Sequence, residues 1–312
     1  MNAIMVTPNI CEGRSLEVVE AVAAEVRSVK GVRLMNVSSD ANHNRSVLSY
    51  IGSKEAVLAA SFRMAAKTVE LIDMRLHSGE HPRVGAVDAV PFIPVGGTDM
   101  SEAVETAHTF GRFMGSLGIP VYYYGEADTN PRENKAQVGK GKLTQELLGE
   151  YEGLPEKLKD DSWPPDEGPR IFSAKSGACT VGARGQLICF NVNLGTTDVA
   201  VAKRIARAVR FSGGGLRDVQ AIGLALESQG VVQVSMMTSR VETTPLPMML
   251  EAVRNQAARY GVPVVGTEIN GPIPLSSLED VFRHYLQAHD FSLDQIVENG
   301  LLALAGDVGE TR

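Results

Sequence analysis

Cysteine is scarce in this chain, and the three present, Cys11, Cys179 and Cys189, are scattered. An odd, dispersed set makes no disulfide framework, and without a Cys-x-x-Cys pair there is no zinc ribbon or dithiol redox motif. The three read as small apolar core residues of a reducing compartment. Positive charge is also in deficit: 30 Lys and Arg against 37 Asp and Glu leave a net charge of −7. Wrapping nucleic acid needs a basic face, so that class is excluded, although a local basic pocket for a small anion is not. No apolar run reaches the roughly 18 residues of a membrane span. The opening Met1-Asn-Ala-Ile-Met-Val-Thr-Pro8 has no basic stretch leading into an apolar one. No signal peptide is therefore expected, and the cytoplasm is the expected location.

What is present is an ordinary globular composition, with 44% hydrophobic and 21% charged residues. A length of 312 residues suits one large domain or two medium ones. Residues 3–9 read as a strand, and a helix follows from about Ser15, with Val18, Val22, Val26 and Val29 at helical spacing. Strands follow at 32–37 and 46–51, then a helix at 54–72. The apolar stretch 89–95 contains Pro91 and Pro94 and is expected to be an edge strand at best. Asp99 with Glu102 resembles a capping box for the next helix, before a strand at 119–124. From 125 to 175 the patterning weakens, with a short helix expected near 143–148. The order then restarts from 187: strand, helix, two strands, helix, strand, and a final helix from Ser276. These orders predict an α/β (α+β) fold of two subdomains. Each is ferredoxin-like in type, a mixed or antiparallel sheet covered by helices. The expected divisions are 1–174, 175–290 and a tail at 291–312.

Three polar clusters stand out. The first is His77-Ser-Gly-Glu-His-Pro-Arg83. Its histidines are four apart, but Pro82 disfavours helical geometry at His81, and the order is not His-Glu-x-x-His. No metal is expected there. His81 reads instead as a general base, with Glu80 or Asp88 to orient it and Arg83 to hold a carboxylate. The bland alternative is a polar surface loop. The second cluster, Asp40-Ala-Asn-His-Asn-Arg45, offers His43, Asn44 and Arg45 to an anionic ligand, or is simply a turn. The third is Gly168, Pro169, Arg170, Ile171, Phe172, Ser173, Ala174, Lys175, Ser176 and Gly177. Its aromatic ring and cations suit a flat, carboxylate-bearing ligand; otherwise it is an interdomain linker.

Taken with Val6-Thr-Pro-Asn-Ile-Cys-Glu-Gly13, Val121-Tyr-Tyr-Tyr-Gly-Glu126, Phe190-Asn-Val-Asn193 and Gln233-Val-Ser235, these motifs resemble the formiminotransferase domain family. The longest match runs from His77 to Val95, and the resemblance spans about residues 5–289. It implies two sheets facing across an electropositive tunnel and a homodimer. It also implies transfer of a formimino group from N-formimino-L-glutamate to N5 of tetrahydrofolate, a co-substrate, in histidine degradation. His81 would be catalytic. Asp40, His43, Asn44, Arg45, Glu80, Arg83 and Arg184 would bind substrate, and residues 168–177 would bind folate. A separate cyclodeaminase is implied as a functional partner. The sequence departs from the animal members near Ser38, where they carry an acidic residue, and at His43. A formyl donor, or folate binding without transfer, are the alternatives.

Overall fold

The computed structural model describes residues 2–128 and 144–310. The chain divides into two units, the first ending at Gln186 and the second beginning at Leu187.

The first unit starts with β1 (Asn2–Val6), continued after a break at Thr7-Pro8 by β2 (Asn9–Ile10). Helix α1 (Leu16–Arg27) buries Val19, Val22, Ala23 and Val26 and is stopped by Gly31, whose φ of +87° only glycine adopts cheaply. β3 (Val32–Asp40) and β4 (Arg45–Gly52) form a hairpin. Helix α2 (Lys54–Leu71) opens with Ser53 accepting from Ala56 N–H. β5 (Val87–Gly96) then returns beside β1. β4 pairs with β1 on its other side, so β3, β4, β1 and β5 make the ferredoxin-like order.

That core is extended. Helix α3 (Met100–Ser116) crosses over to β6 (Val121–Gly125), and β7 (Cys179–Ala183) inserts parallel between β5 and β6. β7 carries no sequence signal beyond a short apolar run. It belongs to the first sheet, so the first unit runs past residue 174 to Gln186.

β5 is interior, not the edge strand its prolines suggested. Pro91 lies at the break between β1 and β2, where only its carbonyl is used, by Thr7 N–H. Phe92 O accepts from Arg184 N–H on the β7 side, so the nitrogen of Pro94 turns to that side too, beyond the end of β7. Neither proline removes a ladder bond.

Between β6 and β7, helices α4 (Thr144–Leu147) and α5 (Glu150–Lys157) occupy part of the stretch that looked irregular. The first residue of the short helix expected near 143–148 lies outside the described residues. A satellite core of Val84, Tyr122, Leu148, Leu154, Leu158 and Trp163 holds this segment. The main core gathers Tyr50, Phe92, Phe110 and Met64, each worth about 1.5–3 kcal/mol on full burial.

The second unit is β8 (Ile188–Leu194), α6 (Val199–Val209), β9 (Val219–Leu226), β10 (Val231–Thr238), α7 (Leu246–Ala258) and β11 (Val264–Asn270). Its four strands are antiparallel in the order β11-β8-β10-β9, again ferredoxin-like. Phe190, Val192, Val232 and Val234 face Ile205 and Met249 of the helices. Helices α8 (Ser276–Tyr285) and α9 (Val297–Glu310) follow.

Candidate active site

The β3–β4 hairpin turns through Asp40, whose carboxylate accepts from the N–H groups of Asn42 and His43, both at 2.8 Å. This local bond is why the sequence turns here. Asn44 takes a left-handed φ of 48°. Its side chain accepts from Gly13 N–H at 3.0 Å and donates to Ser78 O at 3.1 Å. Glu80 N–H donates to Asn42 O at 3.3 Å. The hairpin, the segment after β2 and the loop of residues 77–83 are thus tied together by Asn44 and backbone bonds. Gly79 permits this: a Cβ there would stand 2.1 Å from His43 O.

The loop's two histidines have different surroundings. His77 Nε2 donates to Asn44 O at 2.8 Å, and its Nδ1 accepts from Arg83 Nε at 3.4 Å. Both nitrogens are committed, and burial lowers its pKa below the usual histidine value. His81 bonds Pro82 O through Nδ1 at 2.7 Å. A carbonyl only accepts, so Nδ1 carries the proton and Nε2 keeps its lone pair. Among the described residues Nε2 has no hydrogen-bond partner. Burial first, then the positive charge of Arg45, lower the His81 pKa, against the Pro82 bond and Asp88. At neutral pH it is therefore an uncharged base. His43 meets it edge-on, with ring centroids 5.8 Å apart, and His43 Nδ1 is buried without a partner.

Beside His81 lies a buried ion pair. Arg45 Nη1 is 2.5 Å from Asp88 Oδ2, and Arg45 Nε donates to Asn9 Oδ1 at 3.0 Å. Asp88 also accepts from Val84 N–H at 2.6 Å and Gln145 Nε2 at 3.0 Å. Asp88 raises the Arg45 pKa against the opposing effect of burial, and Arg45 stays charged. Cys11, also buried here, has its thiol pushed well up by burial and by Asp88, which makes it an unreactive core group.

The remaining expected site residues divide. Arg83 forms a two-pronged ion pair with Glu152, at 2.6 and 2.7 Å, with Glu150 at 3.5 Å. Its backbone carbonyl accepts from Tyr151 N–H at 2.8 Å. Glu80 is exposed, and the carboxylate expected to orient His81 is replaced by the Pro82 carbonyl. Arg184 bonds Tyr124, whose pKa burial pushes up to about 12. Arg45 and Asp88 also act on Tyr124, which places Arg184 beside the same charge cluster.

Residues 168–177 lie alongside. Gly177 at φ +69° sits so close to Val84 O that a Cβ would be 2.0 Å away. Ser176 O and Lys175 O accept from Ala86 and Met74 N–H, both at 2.9 Å, and Lys175 Nζ donates to Glu70 O at 2.8 Å. Arg170 pairs with Asp161 at 2.9 Å, Phe172 packs on Tyr151 with centroids 5.4 Å apart, and Ile171 projects outward. The segment is pinned at its C-terminal end to the strand that follows His81. Sequence reasoning missed Glu152, Gln145 and Tyr151, because only the fold brings residues 144–152 against Arg83 and Asp88. No group of three or more His, Cys, Asp or Glu side chains that could hold a metal occurs among the described residues.

A neutral, oriented histidine beside a buried ion pair on a ferredoxin-like sheet defines a candidate acid–base catalyst. The chain belongs to the formiminotransferase domain family. Residues 3–184 match the formiminotransferase domain, N-terminal subdomain, and residues 189–305 match the formiminotransferase domain. It is 41% identical to the glutamate formimidoyltransferase of Streptococcus pyogenes serotype M1, over 95% of this chain and 97% of that protein. With the glutamate formimidoyltransferase of Thermoplasma acidophilum it shares 39% identity, over 96% and 97%. The formimidoyltransferase-cyclodeaminase of Gallus gallus is 40% identical over 90% of this chain, which spans 52% of that protein.

Proposed function

We propose that this protein transfers the formimino group of N-formimino-L-glutamate to N5 of tetrahydrofolate, giving 5-formiminotetrahydrofolate and L-glutamate. Near full-length similarity to two glutamate formimidoyltransferases supports the reaction. The observation that carries the mechanism is the His81 Nδ1–Pro82 O bond, which leaves Nε2 as an uncharged base.

Amidine transfer forms an N5–C bond, breaks the C–N bond to glutamate and moves one proton. As N5 adds to the formimino carbon, His81 Nε2 takes the proton N5 must lose. The resulting imidazolium returns that proton to the glutamate nitrogen, which leaves as an amine. One histidine thus serves both halves and ends neutral, as it began. Binding both substrates together supplies the entropic advantage. In kind, the residues fit such substrates: His43 Nδ1 is a buried polar atom without a partner, and Arg184 and Arg45 supply positive charge for carboxylates. Asp40, Asn44 and Glu80 hold the loop geometry around this base, and residues 168–177 serve the folate side.

The reading extends to a homodimer in the cytoplasm, acting in histidine degradation and one-carbon metabolism. Its product would pass to a separate cyclodeaminase, the activity named with formimidoyltransferase in the longer animal relatives. A steady-state assay offering N-formimino-L-glutamate and N-formyl-L-glutamate separately with tetrahydrofolate tests the reaction. Turnover with the formimino donor is expected, and none with either donor overturns the reading.

A further inference from the structure

Helix α5 touches two parts of the first unit that the proposed reaction uses separately. It is eight residues long, with Gly153 and Pro155 inside it, so it has little helical stability of its own. Its contacts hold it in place. Gly149 and Glu150 are both left-handed, at φ +76° and +57°, a conformation that costs free energy in a residue other than glycine. That turn brings Tyr151 N–H to Arg83 O at 2.8 Å. The N–H is one of the helix-start donors with no acceptor inside the helix. The side chain of Tyr151 meets residues 168–177. Its ring packs on Phe172, with centroids 5.4 Å apart, and its hydroxyl donates to Ala174 O at 2.5 Å. At the other end of the helix, Leu158 O accepts from Arg170 Nε at 3.0 Å.

On the loop side, Arg83 O and Pro82 O flank a single Cα, and only φ and ψ of Arg83 separate them. Pro82 O is the acceptor that holds His81 Nδ1 at 2.7 Å. A short path therefore runs from Ala174 O through the side chain and N–H of Tyr151 to Arg83 O, Pro82 O and His81 Nδ1. Each link is a hydrogen bond or about one residue of covalent chain. The charged and titratable groups acting on His81 are Arg45, Asp88 and His43. Tyr151 bonds none of these among the described residues, so its effect on His81 travels through the backbone.

We propose that Tyr151 is a positioning residue for the transfer reaction. It carries the placement of residues 168–177 to the carbonyl that orients His81, so a ligand seated on that segment sets the base. Tyr151 itself touches no reacting atom. That the ligand is tetrahydrofolate rests on the folate reading above, whereas the path from Ala174 to His81 does not.

The test compares the full-length wild type with Tyr151→Phe, which removes only the hydroxyl, and Tyr151→Leu, which also removes the aromatic contact but keeps apolar bulk. Circular dichroism checks folding. Nitrogen NMR of labelled histidine, with His81 assigned by its loss in His81→Asn, reads which ring nitrogen carries the proton and needs no turnover. The wild type is expected to show the Nδ1–H form. Tyr151→Leu should show a mixture of the two forms, a kcat lower by about tenfold or more, and an acid limb of kcat/KM raised towards pH 6.5. Tyr151→Phe should raise the KM for tetrahydrofolate roughly threefold to tenfold, the loss of one hydrogen bond, with a smaller rise of the acid limb. A purely structural role would lower activity equally at every pH and leave the Nδ1–H form intact. That result in the folded variants overturns the proposal; if Tyr151→Leu does not fold, Tyr151→Phe alone decides by its acid limb. A wild type that transfers nothing, with the mixed form appearing in Tyr151→Leu, sinks the transfer reading and leaves the positioning role standing. Normal transfer by Tyr151→Leu with His81 unchanged does the reverse.

Discussion

The ring of His43 meets the ring of His81 edge-on, with 85° between their planes and 5.8 Å between centroids. The two come from a hairpin turn and a distant loop, joined through Asn44 and through the close approach of Gly79 to the His43 carbonyl. The hydrogen bond to Pro82 O fixes one nitrogen of His81 and with it the orientation of the ring. The free nitrogen therefore has a defined direction before any substrate arrives, which is the preorganisation that acid–base catalysis needs.

His81→Asn keeps a polar side chain but removes the titrating nitrogen. Transfer should fall by about 10²–10⁴-fold, the usual contribution of one general acid–base group, while tetrahydrofolate still binds. Turnover close to wild type with intact folding would remove His81 from the mechanism.

The pH profile follows from burial. His81 and His77 both have pKa values lowered below the ordinary histidine value of about 6.5. Activity should hold on acidification through pH 6.5 and fall only lower, when Nε2 is protonated. The stability effect has the same direction. The unfolded chain binds more protons in this window, so the contribution of these neutral histidines is complete above about pH 6.5 and is lost as pH falls through their folded values. A kcat/KM profile and thermal melts across pH 5–8 read both effects. An acid limb above pH 6.5 contradicts the assignment.

Asp88→Asn leaves Arg45 buried without its counter-ion and weakens acceptance from Val84 N–H and Gln145. Breaking a buried pair by removing one partner costs about 3–5 kcal/mol, so a marked drop in denaturation midpoint is expected. A midpoint within experimental error of wild type would show that the pair does not hold this site.

Glu152→Gln separates two roles of Arg83. The glutamate is 64% exposed, so losing the pair should change stability by no more than about 1 kcal/mol. If Arg83 grips a substrate carboxylate, Glu152 competes for it, and the variant should lower the KM for N-formimino-L-glutamate. An unchanged KM makes Arg83 a brace for α5 and not a substrate ligand.

Gly79→Ala places a methyl group 2.1 Å from His43 O. The loop must move off the hairpin, and transfer should drop by at least about tenfold, since small misplacements of catalytic groups cost this much or more. Retained activity would mean that the docking of the two loops does not position His81.

The sequence by itself marked most of the local elements and pointed to the motifs proposed to carry chemistry. Valine spacing marked α1, and Pro82 together with the order of the motif ruled out a helical histidine pair. The His77–Arg83 motif and Asp40–Arg45 could be read directly, because turn residues and their short-range bonds are encoded within a few positions. Tertiary structure decided which group each of these residues meets. Pro91 and Pro94 sit inside a sheet because β1 breaks and β7 ends where their nitrogens point. Arg83 is held by Glu152, and Arg45 by Asp88, across separations that no periodicity reports. Most telling is His81: its neighbours suggested a carboxylate to orient it, but the backbone carbonyl of Pro82 does so. A hydrogen bond to a carbonyl depends on the path of the folded backbone, so only the fold could fix which nitrogen is the base.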